Sequence, residues 1–395
     1  MFSRRLPPDA VPNALSRRVD QLRATGAEFV DLTESNPTRA GFVYAPDLLE
    51  GFSSAQALHY DPNPVGLPAA RQAVADEYAR RGVAVDPAHV VLTASTSEAY
   101  SWLFKLLCNP GERVAVPRPS YPLFDHLTRL EGIETAAYDL DYHRRWDIDM
   151  GSVERAIAQE TRALLVVSPN NPTGSYVSKP EASRLLDICA ERGVALIADE
   201  VFVDYALDQA DAAADAETDA ATDIALQDRA LAFALGGLSK AVGLPQLKLG
   251  WILVGGPPAS RDAAIDALAM IADSYLSVST PVQVAAPGLL ASGRAIREQI
   301  HGRVRHNLSA LRAAAGQYPS CQVLVVEGGW SAVVRVPAAR SEEALALELL
   351  DRERILVHPG YFFDFPREAY VIVSLLPQTD IFVDAVARML RLASY

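Results

Sequence analysis

Short apolar runs alternate along the chain with longer stretches in which apolar residues recur every three to four positions. His89 to Ala94, Arg113 to Val116, Arg162 to Ser168, Val194 to Ala198, Leu231 to Gly236 and Gly250 to Gly255 are brief and rich in Val, Ile, Leu or Ala. Runs that are apolar at successive positions predict strands buried on both faces. Glu98 to Leu107 and Glu181 to Arg192, lying between them, predict amphipathic helices. The alternation is that of a mostly parallel sheet covered on both sides, hence a three-layer α/β domain over residues 51–285. Ahead of it, Asn13 to Arg23 predicts a capped helix with Asn13 at its start and Gly26 just past its end.

The pattern changes after Ser274 to Gly293, an uncharged run interrupted by Pro281 and Pro287 that makes a poor membrane span. A helix is expected from Ala295 to Ala315, then strands at Gln322 to Glu327 and Ala332 to Val336. A helix at Ser341 to Asp351, a strand near Val371 to Leu375 and a last helix from Ile381 follow. This predicts a smaller α+β domain over 286–395, joined by residues 1–50 as an N-terminal arm. Asp204 to Arg229 stands apart: eight acids and one base among Ala and Thr predict a solvated acidic insertion or weak helix.

Composition removes several classes of function. With 395 residues, 50% hydrophobic and 22% charged, the chain can bury a large core. A net charge of -13 argues against nucleic acid or an anionic membrane as partner. Cys108, Cys189 and Cys321 are odd in number and far apart, which predicts no disulfide framework or thiolate metal site and fits a cytoplasmic protein. Leu6-Pro7-Pro8-Asp9 is no secretory signal. The seven histidines show no metal-binding spacing, and no Gly-x-Gly-x-x-Gly follows a strand. A small ligand remains open.

Its chemistry gathers at predicted strand ends. Pro169-Asn170-Asn171-Pro172-Thr173-Gly174 follows one strand, where open α/β sheets place ligands, although a tight turn would read the same way. Asp199 ends the next strand, as a site carboxylate or a helix cap. Leu235-Gly236-Gly237-Leu238-Ser239-Lys240 ends a third strand with an amine. With these motifs in this order, from about Asp31 to the C-terminus, the chain resembles the class I/II, fold-type I aminotransferases that use pyridoxal 5'-phosphate (PLP).

The resemblance implies a role for each matching residue. Lys240 would form the Schiff base with PLP and serve as the catalytic base. Asp199 would pair with the ring nitrogen, Asn171 would donate to the phenolic oxygen, and Tyr121 would stack on the ring. Ser95-Thr96-Ser97, opening a helix, would bind the phosphate together with Ser239 and Lys248. Tyr60 would reach the cofactor of a neighbouring subunit, making the enzyme a homodimer. Ser35 and Asn36, in the substrate loop, and Arg39 beyond it would bind substrate. The expected reaction moves an amino group from an amino acid or amine to a keto acid or carbonyl acceptor.

The chain also departs from the family pattern. Phe202 stands where a tyrosine is usual, Gly237 where a serine is usual, and Lys248 where an arginine is usual. Near the C-terminus, Tyr370-Val371-Ile372-Val373-Ser374 lacks the arginine that pairs with a substrate carboxylate. Carboxylate recognition is therefore expected to be non-standard, with Arg39 or Arg335 as candidate replacements. The alternatives are a PLP-dependent β-elimination lyase and, more remotely, a catalytically silent binding homologue.

Overall fold

The computed structural model describes residues 3–7, 11–207 and 224–395. Eight strands form the central sheet, in the spatial order Val90–Thr93, Gly250–Gly255, Ala232–Gly237, Ala195–Asp199, Thr161–Val167, Arg113–Arg118, Glu134–Tyr142 and Trp146–Ile148. The five consecutive strands from Ala232–Gly237 to Glu134–Tyr142 pair in parallel. Gly250–Gly255 runs against both its neighbours, so the sheet is mostly parallel, as expected.

Both faces of the sheet are covered. Within Ala195–Asp199, Leu196 and Ala198 belong to one apolar core, while Ile197 packs into the other with Phe233 and Leu235. Successive side chains of a strand point to opposite faces, so an unbroken apolar run is the signature of this double burial. A four-stranded antiparallel sheet, ordered Gln322–Val323, Ser331–Arg335, Tyr370–Ser374 and His358–Pro359, forms the second layer system with the helices Glu342–Glu348 and Thr379–Ala393.

Three expectations are corrected. The helix predicted from Ala295 begins at Thr280 and continues to Ala315, with Pro287 inside it. An interior proline costs about 3 kcal/mol or more. Val282, Leu289 and Leu290 are buried around it, each contributing roughly 1.5–3 kcal/mol, and together they outweigh the break. The strand predicted to Glu327 stops at Val323. Beyond it the chain leaves the sheet to cover the loop after Thr161–Val167, where the Glu327 N–H donates to the Gly174 carbonyl. Gly174 has φ +71, and a Cβ there would lie 2.6 Å from the Gly328 oxygen, so this close approach requires glycine.

The third correction concerns the acidic insertion. Residues 208–223 lie outside the described residues, but its start is not solvated: Tyr205 is fully buried, and the Leu207 N–H donates to the Glu327 carbonyl. Of its eight acids only Asp204 lies in this anchored entry, where it pairs with Arg80.

The hairpin of Glu134–Tyr142 with Trp146–Ile148 and the helices Pro68–Arg80, Leu123–Glu131, Met150–Ala156 and Pro258–Asp273 were not legible in the pattern. Glu134–Tyr142 lies one strand from the sheet edge and carries Glu134, Asp139 and Asp141, which mask its strand character.

Candidate active site

Parallel pairing brings the carboxyl ends of several strands to one rim. Asp199, the last residue of its strand, is in register with Val167 on one side and Leu235 on the other. Asn171 follows the first neighbour by a short loop. Lys240 follows the second in the four-residue helix Leu238–Ala241. Two bonds hold that turn: the Tyr205 hydroxyl donates to the Lys240 carbonyl at 2.6 Å, and the Arg297 guanidinium donates to the Ala241 carbonyl at 3.1 Å.

The Lys240 amine enters an aromatic recess. Its Nζ lies 4.8 Å from the Trp330 ring centre and 5.3 Å from that of Phe202, and it makes no hydrogen bond among the described residues. Burial pushes its pKa down to about 8 against the supporting charge of Asp199. An amine that deprotonates near neutrality is a nucleophile and a base. Reaction of the cofactor-free protein with a small aldehyde followed by reduction is expected to label Lys240 with a midpoint near pH 8, whereas ordinary surface lysines label near 10.5.

Asp199 is 8% exposed. Burial pushes its carboxyl up, while the Tyr100 hydroxyl at 2.6 Å, the Val201 N–H at 3.1 Å and the Lys240 charge oppose the shift. Each oxygen accepts one bond from the protein, leaving further acceptor capacity for a ligand cation.

Ser95 caps the helix Thr96–Leu107 by accepting the Glu98 N–H. The start of strand Gly250–Gly255 lies against it, since a Cβ on Gly250 would sit 3.0 Å from the Ser95 carbonyl carbon. The same strand pairs with Ala232–Gly237, so Ser95, Thr96, Ser97, Ser239 and Lys248 come to one corner of the rim. The hydroxyls of Thr96, Ser97 and Ser239 make no hydrogen bond within the described residues, and Lys248 is exposed. Gly237 is explained by packing: a Cβ there would meet the Leu249 carbonyl at 3.1 Å and the Gly250 Cα at 3.2 Å.

The two adjacent asparagines divide the work of their loop. Asn170 is buried and builds it, accepting from the Ser120 hydroxyl and donating to the Pro119 carbonyl and the Thr173 hydroxyl. Asn171 has no side-chain bond of its own and remains available to a ligand. Tyr121 follows Ser120, whose N–H meets the Phe363 carbonyl of the second layer system. Burial raises the Tyr121 pKa, and the Asp199 charge adds to the shift. Among the described residues, an amine, a carboxylate, an amide, a ring and a hydroxyl corner lacking internal partners fit PLP.

The other expected residues sit further out. Tyr60 is 75% exposed, beside a cavity of about 150 Å³ lined by Trp102, Ser277 and Gln283. Asn36 is spent on its own turn, accepting the Thr38 N–H and hydroxyl, while Ser35 and Arg39 are exposed. This loop is tied to strand Tyr370–Ser374 by the Ser374 hydroxyl, which donates to the Glu34 carbonyl at 2.6 Å. Arg335 turns outward to Gln322. Val371 and Ile372 are buried, and no guanidinium is among the charges acting on Lys240, Asp199 or Tyr121.

Sequence reasoning missed Tyr100, Trp330, Tyr205 and Asn170. Only Tyr100 left a signal: a hydroxyl among Ala99, Trp102 and Leu103 on the buried side of its helix.

The sequence profile of the family "Aminotransferase class I and II" matches residues 29–379. The glutamate-pyruvate aminotransferase AlaA of Haemophilus influenzae is 26% identical over 386 residues, spanning 95% of this chain and 93% of that protein. The alanine aminotransferase of Mycobacterium tuberculosis is 28% identical over 388 residues, spanning 93% and 86%. Among solved structures, an alanine aminotransferase from Pyrococcus furiosus superposes with a TM-score of 0.87 at 22% identity, covering 99% of both chains.

Proposed function

The chain belongs to the class I and II aminotransferases and is a PLP-dependent transaminase, and from that premise we propose how its residues divide the reaction and what donor they accept. The observation that carries this reading is the half-buried Lys240 amine, without a hydrogen bond among the described residues, at the same rim as Asp199. Relatives named as aminotransferases favour transamination over β-elimination.

Bound PLP supplies an aldehyde carbon and an electron-withdrawing ring. Lys240 would bind that aldehyde and, once displaced by a donor amine, would take the proton from the donor's α-carbon and deliver it to the former aldehyde carbon. Asp199 holds the ring nitrogen protonated. Asn171 donates to the phenolic oxygen, a duty that Phe202 cannot share for want of a hydroxyl. Tyr121 packs on the ring face. Ser95, Thr96, Ser97, Ser239 and Lys248 receive the phosphate, with the helix N-terminus adding favourable potential. Trp330 and Phe202 keep water from the Lys240 amine, which preserves its low pKa.

Tyr60 serves the cofactor of a partner subunit, giving a homodimer. Its exposure, with that of Leu58, Met270 and Tyr275, supports this reading, because isolated subunits rarely leave so many large apolar side chains in water. We divide the chain into a large domain at 51–285 and a small one at 286–395 with the arm 1–50, and place it in the cytoplasm. No helix among the described residues is long and apolar enough to cross a membrane.

Relatives are named for alanine, glutamate and pyruvate, and these are the first substrates to try. Apolar Val371 and Ile372 nevertheless support a donor that lacks an α-carboxylate or has it held elsewhere, through Ser35 or Arg39. Incubating the PLP form with α-amino acids and with carboxylate-free amines, while following the cofactor's visible band, tests this. Amines are expected to discharge the band at least as fast as alanine and glutamate. Fast discharge by alanine or glutamate that survives both Arg39→Ala and Ser35→Ala overturns the proposal.

A further inference from the structure

We infer that Tyr100 is a positioning residue of the reaction: its hydroxyl clamps one oxygen of Asp199, and through that carboxylate holds the proton on the cofactor's ring nitrogen. The inference rests on the role of Asp199 proposed above.

The geometry is specific. Tyr100 projects from the helix Thr96–Leu107, the element whose first turn faces the phosphate corner, and its hydroxyl reaches Asp199 Oδ2 at 2.6 Å. That separation belongs to the short O–H···O⁻ class, roughly twice as strong as a neutral bond. The ring cannot drift, being 3% exposed and packed edge-on against Phe124 at 5.4 Å and tilted against Phe104 at 6.0 Å. With Oδ1 taken by the Val201 N–H, both oxygens are held, and the plane of the carboxylate is set from two elements.

A buried carboxylate facing a ring nitrogen shares one proton with it. Burial favours the neutral pair, in which the proton sits on Asp199 and the ring is left uncharged. Every hydrogen bond donated to Asp199 lowers the carboxylate's proton affinity and returns the proton to nitrogen. Three groups supply that pull: Tyr100, the Val201 amide and the charge of Lys240. The Lys240 charge is that of the free ammonium, and this group is taken up once the amine binds the cofactor aldehyde. Tyr121 lies near enough to feel the Asp199 charge but makes no hydrogen bond to it. Tyr100 is therefore the only side chain that donates to this carboxylate among the described residues.

The test is ¹⁵N NMR of the enzyme loaded with PLP labelled at the ring nitrogen, a measurement independent of turnover. Tyr100→Phe keeps the ring and its packing and removes only the hydroxyl. Its ¹⁵N resonance is expected to move from the protonated toward the unprotonated range, with cofactor affinity and kcat each falling about tenfold or more, as for loss of a hydrogen bond to a charged group. Site-specific replacement of Tyr100 by 3-fluorotyrosine keeps the hydroxyl and strengthens it as a donor, so the resonance should move the opposite way or stay fully protonated. This second variant serves if Tyr100→Phe does not fold. An unchanged resonance together with kcat within twofold for Tyr100→Phe, or deprotonation in the fluorotyrosine enzyme, overturns the inference. Asp199→Asn separates the two layers: if it too leaves the resonance in place, the role of Asp199 fails; if it alone moves the resonance, only Tyr100's role fails.

Discussion

Lys240→Met abolishes transamination, with kcat falling about ten-thousand-fold or more, because the variant loses both the amine that captures the cofactor aldehyde and the base that moves the α-proton. Methionine keeps the length of the side chain, so the aromatic recess of Trp330 and Phe202 stays filled. The same variant is expected to gain stability without cofactor. The folded pKa of Lys240, about 8, lies below its ordinary 10.5, so the folded state binds this proton more weakly than the unfolded chain. Lys240 therefore destabilises the fold fully below pH 8, and the penalty vanishes as pH rises through 10.5. That difference is on the order of 3 kcal/mol at pH 7, less what imperfect packing of methionine removes. Denaturant midpoints of the two cofactor-free proteins should differ at pH 7 and converge near pH 10.5. A methionine variant that is no more stable at pH 7 would show that the amine is not buried at a cost.

Asp199→Ala has the second-largest expected effect, on cofactor affinity as well as rate. Removing one partner of a buried charge pair typically costs about 3–5 kcal/mol, which corresponds to roughly 10²- to 5 × 10³-fold weaker binding. The Tyr100 hydroxyl and the Val201 N–H would also be left without their acceptor. Titrating the cofactor-free protein with PLP and reading the visible band measures the loss. Affinity within threefold of the parent would mean that Asp199 does not face the ring nitrogen. Because the same variant removes a carboxyl that burial destabilises, its cofactor-free form need not unfold more easily.

These two residues were both legible as letters at strand ends, for a physical reason. A strand buried on both faces has to be apolar throughout, so an ionisable group at its end stands out against the run, as Asp199 does after Leu196, Ile197 and Ala198. The loop after Thr161–Val167 was equally visible, and the family resemblance pointed to Asn171, but nothing in the sequence said what Asn170 would do. Hydrogen-bond geometry assigned Asn170 to structure and left Asn171 open. Trp330 gave no warning, because an aromatic residue before a strand reads as core until a lysine 90 positions away in the chain is found 4.8 Å from its ring centre.

Proline misled in the other direction. Pro287 reads as a break because the local hydrogen bond is lost, but a helix is decided by the whole face it buries, and that face exists only once Val282, Leu289 and Leu290 have partners.

By itself the sequence determined the class of fold, since apolar runs make buried strands and the groups that such strands can expose lie at their ends; the cofactor chemistry followed from the family resemblance that Asn171, Asp199 and Lys240 carry. Tertiary structure alone decided the pKa of Lys240 and the clamp of Tyr100 on Asp199. Each depends on groups brought together from distant parts of the chain, Tyr100 and Asp199 being 99 positions apart. Burial and hydrogen bonding between such groups are properties of a three-dimensional neighbourhood and leave no periodic trace along the chain.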